Sequence, residues 1–226
     1  MFKFILQLLY PKRCGACDLP LLECENFLCT ACRIELPKPG LFLKRPNWLS
    51  AKFDGLFPFS DVHAFFLFSP GSKVQHLMHQ IKYKGQRDLG TFVGTWCGAL
   101  LKNNIQMISY DLIVPIPLFP KKFQERGYNQ AACIAQGIHE KTQIPWNDAL
   151  LHRTGQSKSL VGQNRVSRYE TLTDVFQVTN PEPLKGKHIL LVDDTLTTGA
   201  TFLAAAEKIK AAGASEISFL ALAALK

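Results

Sequence analysis

Residues 188–201 read His188-Ile-Leu-Leu-Val-Asp-Asp-Thr-Leu-Thr-Thr-Gly-Ala-Thr201, an apolar run closed by two adjacent acids, a set of threonines and one glycine. An unbroken apolar run such as His188 to Asp193 belongs to a strand buried on both faces. Thr198 to Ala212 then reads as a helix, with Phe202, Ala205, Ala206 and Ile209 on one face. Gly213 is placed to end it, and Glu216 to Ala224 returns as a strand. Strand, helix and strand in succession predict a right-handed parallel unit, and so an α/β fold with a parallel sheet. In open α/β sheets, ligands bind at the carboxyl ends of the strands. Asp193 and Asp194 are delivered to that edge and offer acceptors for hydroxyl groups. The following loop offers N–H groups, threonine hydroxyls and a helix N-terminus, all of which favour an anion. Gly199 lets the backbone approach a phosphate with no Cβ in the way. A sugar phosphate satisfies both halves. The competing reading is a turn with threonine caps and a solvated acidic pair, but adjacent acids repel and serve a turn poorly. The segment has neither the G-x-G-x-x-G of a dinucleotide site nor the G-K-[ST] of a P-loop.

Outward from this unit, the alternation of strands and helices continues. Leu112 to Ile116 is strand-like, and Phe123 to Glu140 is helical. Ser72 to Lys84 carries Val74, Leu77, Met78 and Ile81 at helical spacing, and a second helix, Asp88 to Lys102, follows the break at Gly85. Leu56 to Ser69 is aromatic and β-prone, sufficient for one or two strands. Leu150 to Thr179 is polar, with short strands expected at its ends. Leu36 to Pro46 is proline-rich and reads as a linker. The expected organisation is a small module with its linker over 1–46 and an α/β domain over 47–226.

Five of the seven cysteines fall in the first 32 residues, and four form two pairs, Cys14-Gly-Ala-Cys17 and Cys29-Thr-Ala-Cys32. Two such knuckles supply four thiolates to one tetrahedral Zn²⁺. Disulfides fit badly, because nothing marks the chain as secreted. A redox Cys-x-x-Cys explains one pair but not two. Cys14, Cys17, Cys29 and Cys32 are therefore the expected ligands of a structural, zinc-ribbon-like site. Such a closed site has no open position for catalysis and staples a module short of core. Cys24 is a spare thiol that can compete as a ligand. Cys97 and Cys133 sit in apolar helical stretches as small buried hydrophobes.

The chain has 226 residues, 47% hydrophobic and 19% charged, with 13 prolines and 16 phenylalanines. That composition excludes a disordered tail, a collagen and a coiled coil. The longest charge-free runs, Leu89 to Leu101 and Gly127 to His139, fall short of the roughly 20 apolar residues a transmembrane helix needs. Met1 to Tyr10 is apolar but short and carries Lys3, so it reads as a surface-packed element and not a signal peptide. A cytoplasmic protein is expected. The formal charge of +8 fits either a nucleic-acid surface or a phosphate-collecting pocket, and also a plain basic surplus.

With these residues in view, Leu191 to Thr201 resembles the ribose-phosphate loop of type I phosphoribosyltransferases. The paired cysteines, Lys82-Tyr-Lys-Gly85, Val114-Pro-Ile-Pro117 and Glu125-Arg-Gly-Tyr-Asn-Gln130 resemble the ComF family, in the same order along nearly the whole chain. That family is associated with DNA uptake in competent bacteria and with amidophosphoribosyltransferase-like activity. The resemblance implies a parallel-sheet, phosphoribosyltransferase-like α/β domain that binds phosphoribosyl pyrophosphate with Mg²⁺. It implies that Asp193 and Asp194 hold the ribose 2′- and 3′-hydroxyls, as the catalytic pair. Thr195, Thr197, Thr198, Gly199 and Thr201 would bind the 5′-phosphate. Lys121, Lys122 and Arg126 would lie near the pyrophosphate, with Asn129 and Gln130 matching the family pattern. A helix-capping role and a solvated helix face are the plainer account of Arg126, Asn129 and Gln130. The chain departs from the family where a glutamine and an asparagine are usual, placing Leu160 and Thr171 there, while Arg165 and Arg168 are kept. Loss of polar groups from a closing segment bears on turnover more than on binding.

Two functions follow from the resemblance. One is transfer of a phosphoribosyl group to a nitrogen or amide acceptor. The other is a non-catalytic competence protein that keeps the sugar-phosphate pocket and binds single-stranded DNA or partner proteins, with Lys82-Tyr-Lys-Gly-Gln-Arg87 offering charge and stacking. A solvated helix end accounts for that stretch equally well.

Overall fold

The computed structural model describes residues 11–39, 41, 43–103, 109–154 and 175–226. Met1 to Tyr10 and the positions Leu160, Arg165, Arg168 and Thr171 lie outside the described residues. A short helix α1 (Thr30–Glu35) sits in the cysteine module. Strand β1 (Val62–Phe68) leads to helices α2 (Lys73–Tyr83) and α3 (Arg87–Lys102). Strand β2 (Leu112–Pro115) precedes α4 (Pro120–Arg126) and α5 (Gln130–Thr142). Strands β3 (Leu151–Arg153) and β4 (Phe176–Val178) form a separate antiparallel pair. The chain closes with β5 (His188–Leu196), α6 (Ala200–Ala211) and β6 (Glu216–Leu225).

The main sheet has strand order β1-β6-β5-β2, and every pairing is parallel. Because strand side chains alternate, β5 feeds two cores. Leu191 joins Phe53, Val114, Phe202 and Phe219 on the α6 side. Leu190 and Val192 join Leu77, Ile81, Val93, Ile134 and Leu220 on the side of α2, α3 and α5. At about 1.5–3 kcal/mol per fully buried Leu, Ile, Val or Phe, this two-sided burial dominates the fold. Cys14, Leu28, Cys32 and Leu36 belong to the second cluster, so the cysteine module is seated on the helical layer.

Sequence patterning finds α2 closely. Val74, Leu77, Met78 and Ile81 are its buried residues, and the Ser72 side chain caps it by accepting from the Gln75 N–H. Two expectations need correction. The helix expected over Phe123 to Glu140 is two helices, because Gly127 takes a left-handed φ of 76° and closes α4. Asn129 then caps α5, its Oδ1 accepting from the Ala131 N–H at 3.1 Å. The expected end of the strand at Asp193 is also too early: β5 runs to Leu196, with Asp193 opposite Ala221 and Thr195 opposite Ala223. Burial of Leu196 and the length of β6 extend the ladder, so the loop is only Thr197 to Gly199 and the helix starts at Ala200.

Helices α3 and α5 touch backbone to backbone. A Cβ at Gly94 would lie 2.4 Å from the Ile134 carbonyl oxygen, and one at Gly137 would lie 2.2 Å from that of Thr91. Gly137→Ala must force the helices apart, and urea denaturation is expected to show a loss of about 1–3 kcal/mol or more, the usual cost of overpacking. An unchanged midpoint would mean that this contact is looser than described.

Candidate functional site

The site grows from the end of β5. Pairing with β2 ends at Val192, while pairing with β6 continues through Asp193 and Thr195, so Asp193 and Asp194 lie at the carboxyl edge of the sheet with the β6 side still holding the strand. Asp194 is 8% exposed, and its backbone N–H donates to Asp193 Oδ1 at 2.7 Å. Burial pushes the Asp193 carboxyl up to about 7, and the charge of Asp194 adds to that rise. The Asp194 N–H and the charges of Lys82 and Arg153 act in the opposite direction.

Just beyond the pair, Thr195 is in the strand, Thr197 is exposed, and Thr198 and Thr201 are half-buried. Thr198 Oγ1 accepts weakly from the Ala200 N–H at 3.4 Å. Gly199 is the N-cap of α6, at φ 86°, and no side chain caps the helix from that position. A Cβ at Gly199 would lie 2.9 Å from the Phe53 ring, so packing and loop conformation both demand glycine there. The first turn of α6 has backbone N–H groups without intrahelical acceptors, the usual basis of an anion site.

Two cations approach the acids, and sequence reasoning assigned neither to the site. Lys82, in the last turn of α2, places Nζ 3.0 Å from Asp194 Oδ1 and donates to Thr195 Oγ1 at 2.9 Å. Arg153, at the end of β3, lies with its guanidinium carbon 3.7 Å from the Phe119 ring centroid and 4.9 Å from that of Phe176. Lys82 stood in a quoted motif, but 113 positions from Thr195. No sequence signal marked Arg153. Arg126 packs over Tyr83 at 5.1 Å and donates to Gln130 Oε1 at 2.8 Å, which brings the end of α4 beside the end of α2. Asn129 Nδ2 donates to the Ile116 carbonyl, so Asn129 acts as a cap and a loop tie. Lys121 is exposed on the first turn of α4, and no described contact joins it to the acidic pair.

The second cluster is the four cysteines. The Sγ atoms of Cys14, Cys17, Cys29 and Cys32 all lie within 4.8 Å of one another. Cys17 and Cys29 sulfurs are 3.8 Å apart. Tetrahedral Zn²⁺ with bonds of about 2.3 Å needs sulfur–sulfur edges of about 3.8 Å, so the donors fit that ion. Burial raises the Cys14 thiol, but N–H groups of Cys29, Ala16 and Cys17 outweigh it and bring it down to about 7. Burial and the neighbouring sulfurs push Cys32 far above the ordinary thiol range. Cys24 is exposed outside this group, while Cys97 and Cys133 are buried.

Residues 129–225 match the phosphoribosyl transferase domain family. Over that stretch the chain is similar to phosphoribosyl transferase domains. This stretch runs from the cap of α5 through the acidic pair to the end of β6. The DNA utilization protein YhgH of Escherichia coli (strain K12) is 27% identical over 107 residues, 47% of this chain and 46% of that protein. The YhgH of Salmonella typhimurium is 23% identical over 228 residues, 92% of this chain and 94% of that protein. Competence protein ComFC of Bacillus subtilis (strain 168) is 34% identical over 113 residues, 48% of this chain and 44% of that protein. The chain thus spans about half the length of the Escherichia coli and Bacillus subtilis relatives it matches. Among the described residues, no helix is long and apolar enough to cross a membrane.

Two measurements follow from the acidic pair and the cysteine cluster. The raised Asp193 carboxyl keeps its proton in the folded chain at pH values where the unfolded chain has released it, so its burial costs stability as pH rises. Asp193→Asn is expected to raise Tm, with a gain that grows from about pH 4 to about pH 7 and then levels; a pH-independent gain would contradict the shift. Elemental analysis should find stoichiometric zinc, lost in Cys32→Ser together with a large fall in Tm. Zinc retained in that variant would place the metal elsewhere.

Proposed function

We propose that the chain binds phosphoribosyl pyrophosphate with Mg²⁺ and transfers its phosphoribosyl group to a nitrogen or amide acceptor, as part of DNA uptake in the cytoplasm. The observation that carries this reading is the end of β5, where two fixed carboxylates adjoin the uncapped start of α6 within a stretch similar to phosphoribosyl transferase domains. Asp193 and Asp194 accept hydrogen bonds from the ribose 2′- and 3′-hydroxyls. The N–H and hydroxyl groups of Thr197, Thr198, Gly199 and Thr201 receive the 5′-phosphate, and Thr195 adds its hydroxyl beside them.

Lys82 pairs with an oxygen of Asp194 and donates to the hydroxyl of Thr195. Ribose hydroxyls compete for that oxygen, and release of the Lys82 ammonium frees a cation beside the departing pyrophosphate. Transfer breaks the C1–oxygen bond to pyrophosphate and forms a bond from C1 to the acceptor, through a carbon of oxocarbenium character. Lys82 and Arg126 stabilise the negative charge that develops on the leaving group, with Lys121 and Lys122 on the exposed side of α4. Phosphate, hydroxyl and carboxylate oxygens are the donor set Mg²⁺ prefers, and when bound it supplies charge neutralisation at the pyrophosphate. The zinc-bearing module over 1–46 braces the domain over 47–226 and presents a surface to partners in DNA handling. This role follows the competence and DNA utilization names of the relatives.

The second reading keeps the pocket without turnover. It is favoured by the Lys82 contacts, which already engage Asp194 Oδ1 and the Thr195 hydroxyl. In this reading Tyr83, 62% exposed, and Arg87 offer stacking and charge to single-stranded DNA, but Lys82 is turned inward and does not contribute.

Calorimetric titration with phosphoribosyl pyrophosphate and Mg²⁺ tests both readings. Removal of two charged acceptors, at about 1.5–3 kcal/mol each, is expected to weaken binding at least about 100-fold in Asp193→Asn/Asp194→Asn. Failure of the folded, zinc-loaded wild type to bind would overturn the pocket. Pyrophosphate release on addition of nitrogen acceptors separates transfer from binding alone.

A further inference from the structure

The cysteine module reaches α2 by two routes, and α2 ends at the acidic pair. On the first route, Lys73 opens α2 and places Nζ 2.6 Å from Glu35 Oε2, at the end of α1. Lys82 stands in the last turn of the same helix, roughly 14 Å further on at 1.5 Å per residue. There it meets Asp194 and Thr195. On the second route, Phe27 lies against Phe92 of α3, and the Arg33 guanidinium and Lys38 Nζ lie 5.8 and 5.0 Å from the Trp96 ring centroid. Helix α3 meets α5 at glycine contacts, and Tyr128, just before α5, donates to the Ile81 carbonyl. α2 is therefore tied to the module at its first turn and to the far end of the helical layer at its last.

Both routes start from residues that the cysteine cluster places. Cys29 caps α1, its side chain accepting from the Cys32 N–H, and Glu35 closes that helix. Gly15, between Cys14 and Cys17, sits against Leu89 with no room for a Cβ, and Phe27 holds a left-handed φ of 60° in the turn before Cys29. Cys14 and Cys32 share a buried cluster with Leu77 and Ile81 of α2. Four sulfurs gathered on one ion give so small a module its fixed form. The Glu35–Lys73 pair is solvent-exposed and adds little stability of its own, so its effect is on where α2 stands.

We propose that the cysteine cluster and the acidic pair are coupled through α2: zinc at Cys14, Cys17, Cys29 and Cys32 tightens the binding of phosphoribosyl pyrophosphate at Asp193 and Asp194, and that ligand tightens zinc in return. The coupling rests on the phosphoribosyl reading given above. Its sign is set by charge. Phosphoribosyl pyrophosphate is a polyanion, and two adjacent acids repel it unless a cation stays beside them. A seated module keeps the last turn of α2, and with it the Lys82 ammonium, within reach of both the acids and the pyrophosphate. An unseated module releases both ends of α2, and the acids then face the ligand with less compensation. Linkage makes the effect reciprocal: each ligand changes the other's affinity by the same factor.

The readout is zinc affinity, not turnover. The zinc Kd of the full-length protein is measured by chelator competition, with and without saturating phosphoribosyl pyrophosphate in excess Mg²⁺. Binding of phosphoribosyl pyrophosphate to the zinc-loaded chain is measured beside it by calorimetry. The ligand is expected to tighten zinc at least about fivefold, the lower end of ordinary coupling between sites. Asp193→Asn/Asp194→Asn corrects for zinc held by the pyrophosphate itself and should show no tightening. Glu35→Gln/Tyr128→Phe removes one contact from each route; it is expected to keep zinc and fold while the tightening falls. Lys73→Gln breaks the exposed ion pair alone and reads the first route if the double variant fails to fold. Global unfolding of the metal-free chain would also link the two ligands, but equally in these variants. Undiminished tightening in them therefore overturns the proposal, as does an unchanged zinc Kd in a wild type that binds phosphoribosyl pyrophosphate. A wild type that does not bind that ligand overturns the phosphoribosyl reading and the coupling with it.

Discussion

Strand β5 is paired on both edges and covered on both faces, and the site depends on that enclosure. A strand so held cannot slip in register without moving Leu190, Leu191 and Val192 out of their separate cores. The two carboxylates that follow inherit its rigidity. They need no supporting loop to hold them, since Asp193 and Thr195 are themselves rungs of the ladder with β6. Between β5 and α6 the described loop is only the three residues Thr197 to Gly199. Preorganisation of this kind costs little when a ligand arrives, because its entropy was lost on folding.

The same enclosure creates an electrostatic problem. Two adjacent carboxylates with little access to water raise each other's cost of ionisation, and Asp193 bears it. Lys82 comes from one layer and Arg153 from another, so the compensation is tertiary and not local. Their difference in placement has consequences. Lys82 is satisfied by direct contact with Asp194 and Thr195, whereas Arg153 is left with aromatic faces and an open cleft. One cation is a counter-charge in direct contact with the pair, and the other acts on it through space.

The legible parts of the sequence were those governed by local periodicity. α2 was readable because four apolar positions sit on one turn-spaced stripe behind a serine cap. β5 was readable because no polar residue interrupts it before Asp193, but its end was not, since Asp193 to Leu196 is polar and extended only because β6 lies alongside. The break at Gly127 was written in the glycine and asparagine around it and was masked by helix-forming residues on either side. The cysteine cluster was legible from spacing alone, since two knuckles with two-residue gaps leave few other uses. Lys82 and Arg153 could not be placed, because their roles arise from residues far away in the chain: Thr195 and Asp194 for the first, Phe119 and Phe176 for the second.

Helix α3 connects these parts, although it contributes no residue to the acidic pair. On one side it receives the cysteine module: Phe27 packs on Phe92 with centroids 5.3 Å apart, and a Cβ on Gly15 would meet Leu89 at 2.8 Å. On the other side its glycines admit α5 at backbone contact. The segment leading into α5 then fixes α2, because the Tyr128 hydroxyl donates to the carbonyl of Ile81. Ile81 immediately precedes Lys82. The position of the ammonium against Asp194 is thus set by a chain of contacts that begins at the cysteine cluster and passes through helix packing with no slack for an added methyl group. A module whose described residues add nothing to the acidic pair still helps to hold the wall against which the pair is built, which is the structural use of a cysteine cluster that fits a metal.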